Sequence, residues 1–144
     1  MSKPTTIPLP CMSASFRRAS RALTQHYETA LRPLGLRGTQ FTLLQALSLT
    51  GEVSQGTLSE ILAIDSTTLT RTVAIMQRRK LIASRSGEDR RERLLSLSKA
   101  GKAEYKRALP HWEEVQQELR AQFGNQRWKE LLNLTNQVTA EVAI

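Results

Sequence analysis

The chain has 144 residues, of which 40% are hydrophobic and 24% charged, and its formal net charge is +8 at pH 7. This length favours one compact domain with a buried core. No apolar stretch approaches the roughly 20 residues that a membrane-spanning helix needs, and the first ten residues lack the apolar centre of a signal peptide. The single cysteine excludes an internal disulfide. We therefore expect a cytoplasmic protein without membrane contact.

The positive charge is concentrated in the middle of the chain. Residues 61–109 carry 12 basic and 5 acidic side chains, whereas residues 110–144 carry 3 basic and 5 acidic ones. A concentrated basic surface is typical of proteins that bind the phosphates of nucleic acids. Composition alone is also compatible with a basic surface that only maintains solubility.

The N-terminal part predicts a flexible segment followed by a long helix. Residues 1–12 hold three prolines and no periodic apolar pattern, so we expect them to be flexible. Apolar side chains recur at helical spacing from Phe16 to Ala30. Pro33 and Gly35 then end this helix.

Three shorter helices are predicted next. The first begins near Thr39, its expected N-cap, and ends before Gly51. Ser54 is predicted to cap a helix of about two turns, and Asp65 caps a further helix that runs to about Arg79. Two helices joined by so short a turn predict a helix-turn-helix, although an ordinary αα-hairpin has the same pattern.

A predicted β-hairpin favours the helix-turn-helix interpretation. Residues 81–85 and 93–97 have the pattern of short strands, and the polar segment between them contains Gly87. A hairpin directly after the second helix of a helix-turn-helix is a wing. We therefore predict a mainly α fold with a small β-hairpin wing, a winged helix-turn-helix with additional helices at both ends.

The C-terminal part predicts two further helices. Ser98 is the expected N-cap of the first, and Pro110 lies inside it. Because proline lacks an amide hydrogen, we expect a bend there. Gly124 and Asn125 separate this helix from a last one that contains Trp128.

The helix that Asp65 caps carries many short or forked hydrogen-bonding side chains. Hydroxyl groups reach phosphates or base edges, and arginine binds guanine bidentately. The DNA contacts predicted for its first turns are Ser66, Thr67, Thr68, Thr70 and Arg71. The phosphate contacts predicted for its last turn are Arg78, Arg79 and Lys80. A solvent-facing helix whose Ser/Thr-rich start reflects capping preference is the alternative.

The loop between the two predicted strands is narrow and basic. The negative potential of a minor groove attracts arginine, and we predict that Arg90 and Arg91 enter it. Asp89 is expected to pair with the Arg91 guanidinium and fix its orientation. An exposed, salt-bridged loop without a binding role is the alternative.

Three segments at matching spacing resemble the MarR family of winged-helix regulators. They are residues 65–71, the wing motif Asp89-Arg90-Arg91, and residues 97–101; residues 35–47 also resemble the family's second helix. The similarity covers nearly the whole chain. Ser98 stands where the family usually has threonine, a conservative change at a capping position.

The resemblance implies a homodimer. Residues 13–37 and 104–144 would form the dimerisation helices, and residues 38–103 the winged helix-turn-helix lobe that binds DNA. The apolar stripes on both terminal segments support this, although they could also cover the core of a monomer. A dimer places two recognition helices about one helical turn apart, which calls for a pseudo-palindromic operator in double-stranded DNA.

The resemblance also implies a transcriptional regulator, which in most members of the family is a repressor. A small aromatic or phenolic effector would release it from DNA. The effector pocket lies between the DNA-binding lobe and the dimerisation helices. Candidate pocket residues are His26, Phe41 and Trp112, although such side chains at helical spacing are more often plain core.

Two alternatives remain open from the sequence. Some relatives sense peroxide through one cysteine near the start of the first helix, which makes Cys11 a candidate. The tyrosines that support that cysteine are replaced here by Ser15 and Gln25. The other alternative is a winged helix that binds a protein and does not read DNA, but such a module would not need a basic wing.

No pattern in the sequence indicates catalysis. Neither His26 nor His111 has a nucleophile and an acid at a recognisable spacing. His111 and Glu114 are one helical turn apart, but two ligands do not make a metal site. No glycine-rich phosphate loop is present. We therefore expect no catalytic residues, no metal and no cofactor.

Overall fold

The computed structural model describes residues 5–142, in which helices surround a small antiparallel sheet. The helices are α1 (Met12–Leu31), α2 (Gly38–Thr50), α3 (Gln55–Leu62), α4 (Ser66–Arg78), α5 (Lys99–Phe123) and α6 (Asn125–Val142). The strands are β1 (Val53–Ser54), β2 (Ile82–Ser86) and β3 (Arg93–Leu97), and a 3-10 turn, Arg32–Leu34, joins α1 to α2. The predicted mainly α fold with a hairpin wing is confirmed.

Three predicted helix caps are confirmed. Side-chain oxygens of Ser54, Asp65 and Ser98 accept hydrogen bonds from backbone amides three residues later, at 3.1, 2.7 and 3.0 Å. Each bond satisfies an amide that would otherwise have no partner at the start of a helix.

The predicted cap of α2 was wrong. The N-cap is Arg37, whose amide donates to Gln40 Oε1 at 3.0 Å. The Gly38 amide donates to Glu28 Oε1 of α1 at 2.8 Å. A tertiary partner therefore satisfies the first turn of α2, so that turn does not need Thr39 as a cap.

The first helix begins at Met12, inside the segment predicted to be flexible. Cys11 is its N-cap, and the sulfur accepts a hydrogen bond from the Ala14 amide at 3.5 Å. Two side chains of α1 bind the segment that precedes the helix. Ser15 donates to the Leu9 carbonyl, and Arg18 donates to the Ile7 carbonyl. Residues 1–4 of the predicted flexible segment lie outside the described residues.

The sheet has three strands in the order β1-β3-β2. The connector after Gly51 forms β1, which pairs Val53 with Leu95, and the wing pairs Ser84 with the same residue. β2 starts one residue later than predicted, at Ile82. Leu81 instead links neighbouring elements, because its amide donates to the Met76 carbonyl and its carbonyl accepts from the Ser98 amide.

The main core lies between α2, α4, the sheet and the first half of α5. Its fully buried side chains include Leu43, Leu44, Leu58, Leu69, Met76 and Leu95. A second, smaller cluster joins Val115, Leu119 and Trp128 to residues of α1. α5 contributes to both clusters and runs without a break through Pro110.

Residues 5–142 contain no helix that combines the length and the apolar character needed to cross a bilayer.

Candidate nucleic-acid interface

The second helix of the helix-turn-helix, α4, has one buried and one exposed face. Leu69, Val73 and Met76 are buried against the core. The turn that orients α4 against α3 passes through Ala63, which has a left-handed φ of 52°, and the Ile64 amide donates to the Ser59 carbonyl. The packing therefore points the opposite face of α4 to the outside.

The start of α4 is held by Asp65. Its carboxylate accepts hydrogen bonds from the Thr68 amide at 2.7 Å and from the Thr68 hydroxyl at 3.0 Å. These bonds hold the pKa of the Asp65 carboxyl below its ordinary value of 3.8. The Asp65 charge also interacts favourably with the positive end of the helix dipole.

The predicted DNA contacts on α4 are exposed, but two of them also serve the fold. Ser66, Thr67 and Arg71 are exposed without a side-chain partner among residues 5–142. Thr70 is exposed too, and its hydroxyl donates to the Ser66 carbonyl and accepts from Gln55 Nε2 at 3.0 Å. Thr68 donates its hydroxyl to Asp65 and is one of the residues that line a cavity behind α4.

The Gln55 amide is a polar contact that the sequence analysis missed. It lies at the first position of α3 and donates to Thr70 across the helix-turn-helix. Its position directly after the capping residue Ser54 was the available signal. This bond holds the Thr70 side chain in place on the outer face of α4.

The three consecutive basic residues at the end of α4, residues 78–80, do not share one environment. Arg78 and Lys80 are exposed and make no side-chain bond within residues 5–142. Arg79 instead donates from Nη1 to the Gly35 carbonyl at 3.1 Å and to Gln40 Oε1 at 3.4 Å. The Arg79 guanidinium therefore lies at the connection between α1 and α2.

The wing tip, residues 87–92, is a tight turn. The Gly87 amide donates to the Glu92 carbonyl, and the Glu92 amide donates to the Asp89 carbonyl, each at 2.9 Å. The expected ion pair between Asp89 and the Arg91 guanidinium is absent from the described structure. Asp89 Oδ1 accepts from the Arg91 backbone amide instead, at 3.0 Å, because a turn of this kind brings the amide two residues on into reach.

This turn leaves the guanidinium groups of Arg90 and Arg91 exposed, and neither has an ion-pair or hydrogen-bond partner within residues 5–142. Strand β2 of the wing is held by a further contact that was not predicted. Arg85 on β2 forms paired hydrogen bonds with the Glu52 carboxylate, at 2.8 and 2.5 Å. The Arg85 guanidinium lowers the pKa of the Glu52 carboxyl, and the Glu52 carboxylate raises the pKa of Arg85.

A cavity of about 350 Å³ lies behind α4, between this helix, α1, α2 and α5. Two of the three predicted pocket residues line it: Phe41 and Trp112, whose rings stack with centroids 5.9 Å apart. His26 does not. It faces a separate depression between α1 and α5, beside Glu114 and Glu118.

Helical geometry explains why His26 lies elsewhere. The residues of α1 that line the cavity are Thr24, Tyr27, Glu28 and Leu31. They recur at intervals of three and four and so share one face, from which His26 is turned away. This spacing was the signal for the pocket residues that the sequence analysis missed. Within residues 5–142, no cluster of side chains could hold a metal ion.

Both ends of the described chain leave apolar side chains in solvent. On α1, Phe16 and Leu23 are 40% and 38% exposed, and on α6, Leu131, Leu132 and Leu134 are 45%, 48% and 55% exposed. The two buried clusters do not include these side chains.

The order of the helices and the hairpin that follows them define a winged helix-turn-helix protein. Residues 34–92 match the sequence profile of the MarR family. The transcriptional regulator MosR of M. tuberculosis, solved in complex with DNA, is 35% identical; the superposition covers 90% of this chain and 97% of that one, with a TM-score of 0.78. The chain belongs to the MarR family of transcriptional regulators, and so to a class of proteins without enzymatic activity.

Two further relatives agree with this assignment. An uncharacterised HTH-type transcriptional regulator of Bacillus subtilis, YwoH, is 27% identical over 109 residues, which are 76% of this chain and 80% of the relative. A variant of MarR from E. coli complexed with operator DNA superposes with a TM-score of 0.79 over 88% of this chain and 92% of that one. Because the two sequences are only 19% identical, this superposition supports the fold alone.

Proposed function

We propose that this chain is a cytoplasmic, homodimeric repressor that binds a pseudo-palindromic site in double-stranded DNA and releases it when a small aromatic molecule occupies the cavity behind α4. The observation that carries the DNA-binding part is the pair of exposed guanidinium groups of Arg90 and Arg91 at the wing tip, which have no partner among residues 5–142. They protrude from the same lobe as the exposed hydrogen-bonding face of α4. The DNA complexes of MosR and of the MarR variant support this assignment.

Each part of this lobe would read a different feature of DNA. Ser66, Thr67, Thr70 and Arg71 would contact base edges and phosphates in the major groove. Arg90 and Arg91 would enter the adjacent minor groove, where a narrow groove deepens the negative potential. Arg78 and Lys80 would neutralise phosphates.

The dimer would form through the exposed apolar faces of α1 and α6. Burying Phe16, Leu23 and the leucines of α6 between two copies removes apolar surface from water. Because the two copies are identical, a two-fold axis relates their α4 helices. Two half-sites of opposite orientation, about one helical turn apart, would match that symmetry.

The cavity supports the proposed effector response because α4 forms one of its walls. Thr68, Leu69 and Thr72 line it from the inner side of α4. A ligand that enters would press on this helix from behind and change the position of its outer face. A tenfold loss of DNA affinity needs a differential binding free energy of only about 1.4 kcal/mol.

The test is a DNA-binding titration against duplexes selected from a random pool, at several salt concentrations. The logarithm of the affinity should fall steeply with the logarithm of the salt concentration. Arg90→Ala and Arg91→Ala should weaken binding, and each should reduce the slope for the dimer by roughly two, because one cation is lost from each of the two copies. Lys129→Ala on α6 removes the same charge outside the winged-helix lobe and is the control.

The mass of the variants in solution is measured in parallel. Both wing variants should keep the dimer mass of the wild type. A protein that prefers no duplex at moderate salt would support the alternative, a winged helix that binds another protein.

Redox sensing through Cys11 is a second candidate for the regulatory signal. The thiol is exposed, and its sulfur caps α1, a predicted dimerisation helix. Oxidation of this sulfur would alter the cap where α1 begins. Peroxide should then weaken DNA binding of the wild type and leave Cys11→Ser unaffected; equal responses of the two proteins would exclude this role.

A further inference from the structure

The described side chains around the cavity behind α4 are mostly uncharged, and their only charge is negative. Its wall is mainly apolar, with Leu31, Phe41, Leu69 and Trp112 among its members. The one charged side chain among the described lining residues is Glu28, a carboxylate. None of these lining residues carries a positive charge, so the wall offers no cationic partner for an acidic ligand.

Several hydroxyl groups of the wall are already used as donors within the protein. Tyr27 donates to Gln116 Oε1, and burial raises the pKa of its phenol, which therefore keeps its proton. Thr42 donates to the Gly38 carbonyl, and Thr72 donates to the Thr68 carbonyl. The oxygen atoms of these groups remain available as acceptors. Thr24, Thr39 and Trp112 also line the cavity, and their side-chain donors have no partner within residues 5–142. The preference of this wall for a ligand with a hydrogen-bond donor therefore rests on the Glu28 carboxylate, which only accepts.

Helix α2 begins at the cavity and α4 begins beside it, and each start already holds a carboxylate of the protein. A free helix N-terminus attracts anions because its amides lack partners. At α2, Glu28 Oε1 accepts the Gly38 amide at 2.8 Å; at α4, Asp65 Oδ1 accepts the Thr68 amide at 2.7 Å. These acids occupy the positions that a carboxylate ligand would otherwise take.

Gly38 leaves room for the Glu28 carboxylate. A Cβ atom on this residue would lie 3.1 Å from Glu28 Oε1. The Glu28 carboxylate also contacts Arg37 Nε at 3.5 Å, but the Arg37 side chain is 76% exposed and lies outside the wall. The exposed Arg37 guanidinium therefore offsets only part of the Glu28 charge, and the Glu28 side chain, 23% exposed, is the charged group that lines the cavity.

We propose that this cavity selects neutral or positively charged aromatic molecules that carry a hydrogen-bond donor, and that it discriminates against aromatic carboxylates. The apolar wall binds the ring, and the Glu28 carboxylate and the threonine oxygens accept from its donor. A ligand carboxylate would meet Glu28 with like charge in a partly dehydrated space, which is unfavourable. This selectivity rests on the proposed function of the cavity as the effector site.

The test compares three ligands with one ring system and different charges: 2-naphthylmethanol, protonated 2-naphthylmethylamine and 2-naphthoate. Their affinities for the purified dimer are measured by calorimetry at physiological salt, which screens the net protein charge beyond about 8 Å. The alcohol and the amine should bind roughly tenfold more tightly than the carboxylate. Equal or tighter binding of the carboxylate would overturn the proposal, as would the absence of binding by all three.

Glu28→Gln keeps an oxygen for the Gly38 amide and removes the charge. The affinity ratio of amine to carboxylate should fall roughly tenfold in this variant, while the affinity of the alcohol stays within about twofold. Glu118→Gln, which removes one charge beside the His26 depression, should leave the ratio unchanged. An unchanged ratio in Glu28→Gln would contradict the role of Glu28.

DNA release is measured separately, by anisotropy of a labelled duplex with each ligand present. The predicted order of affinities without any DNA release would contradict the effector function and leave the selectivity intact. DNA release by the carboxylate alone would support the effector function and overturn the selectivity. The two ideas therefore fail in different ways.

Discussion

Arg79 and Gly35 are joined by a hydrogen bond of 3.1 Å from the guanidinium Nη1 to the backbone carbonyl. The bond connects the end of α4 to the turn between α1 and α2. Arg107 of α5 binds the neighbouring carbonyl of Leu34 at 3.3 Å. Two arginines from different helices thus hold the segment where a terminal helix meets the winged-helix lobe.

This contact predicts different roles for two adjacent arginines. Arg78→Ala should weaken DNA binding and reduce the slope of its salt dependence by roughly two, because each copy of the dimer loses one exposed cation. Arg79→Ala should leave the slope nearly unchanged, because its guanidinium is engaged away from the outer face of α4. DNA titrations at four salt concentrations measure both slopes; equal slope changes would contradict the assignment.

Gly101 predicts a large effect of a small substitution. A Cβ atom there would lie 2.0 Å from the Leu81 carbonyl oxygen, at the junction of the wing and α5. Gly101→Ala should therefore lower the free energy of unfolding by about 2 kcal/mol or more, since backbone atoms must move. The measurement is chemical denaturation at neutral pH.

Gly56 is the matched control. It lies in α3, and an added Cβ would meet nothing within 4 Å. Gly56→Ala should stabilise the protein by roughly 0.5–1 kcal/mol, because alanine loses less backbone entropy in a helix than glycine does. A destabilising Gly56→Ala would show that the effect at Gly101 is not specific to the contact with Leu81.

The cap of α4 predicts a pH-dependent contribution to stability. The folded pKa of Asp65 is lowered by the bonds from Thr68. Its charged form therefore stabilises the fold above the ordinary pKa of 3.8, and this contribution is lost as the pH falls through the lower folded value. Asp65→Asn keeps an oxygen for the cap but does not titrate. The wild type should be more stable at neutral pH, and the difference should shrink as the pH falls below 3.8.

Asp65→Ala removes the acceptor altogether and should lower the melting temperature further than Asp65→Asn at neutral pH. Thermal unfolding of the three proteins across the pH range measures both effects. A difference between wild type and Asp65→Asn that grows in acid would have the wrong sign for this cap.

The bond from Tyr27 to Gln116 predicts a specific cost for loss of a hydroxyl group. Tyr27→Phe leaves the amide oxygen of Gln116 without its donor between α1 and α5. The free energy of unfolding should fall by about 1 kcal/mol. Tyr105→Phe is the control, since the Tyr105 ring stacks on Phe41 and its hydroxyl makes no bond within residues 5–142. Equal losses in the two variants would exclude a role for the Gln116 bond.

Local patterns in the sequence were sufficient for most of the fold. The caps at Ser54, Asp65 and Ser98 could be read from residue type and spacing, because each interaction spans only three residues. The wing hairpin and the inner stripe of α4 are likewise local patterns. The start of α2 could not be found in this way, because Glu28, ten residues earlier, binds its first amide.

Contacts between distant segments decided the rest. β1 is too short to have a periodic pattern, and it exists because Val53 pairs with Leu95. The bond of Arg79 to Gly35 separates Arg79 from the exposed cation Arg78, although the two are adjacent in the chain. Asp89 binds an amide where its charge had suggested an ion pair with Arg91.

The sequence by itself determined the winged helix-turn-helix, the exposed basic wing and the family, because these depend on local spacing and on charged side chains that need no partner. Only the tertiary structure decided which side chains share the cavity behind α4. It places Tyr27, Glu28 and Thr72 there with Phe41 and Trp112, and it turns His26 to another surface. The physical reason is that a cavity forms where several helices pack together, and the faces that meet depend on packing across the whole chain.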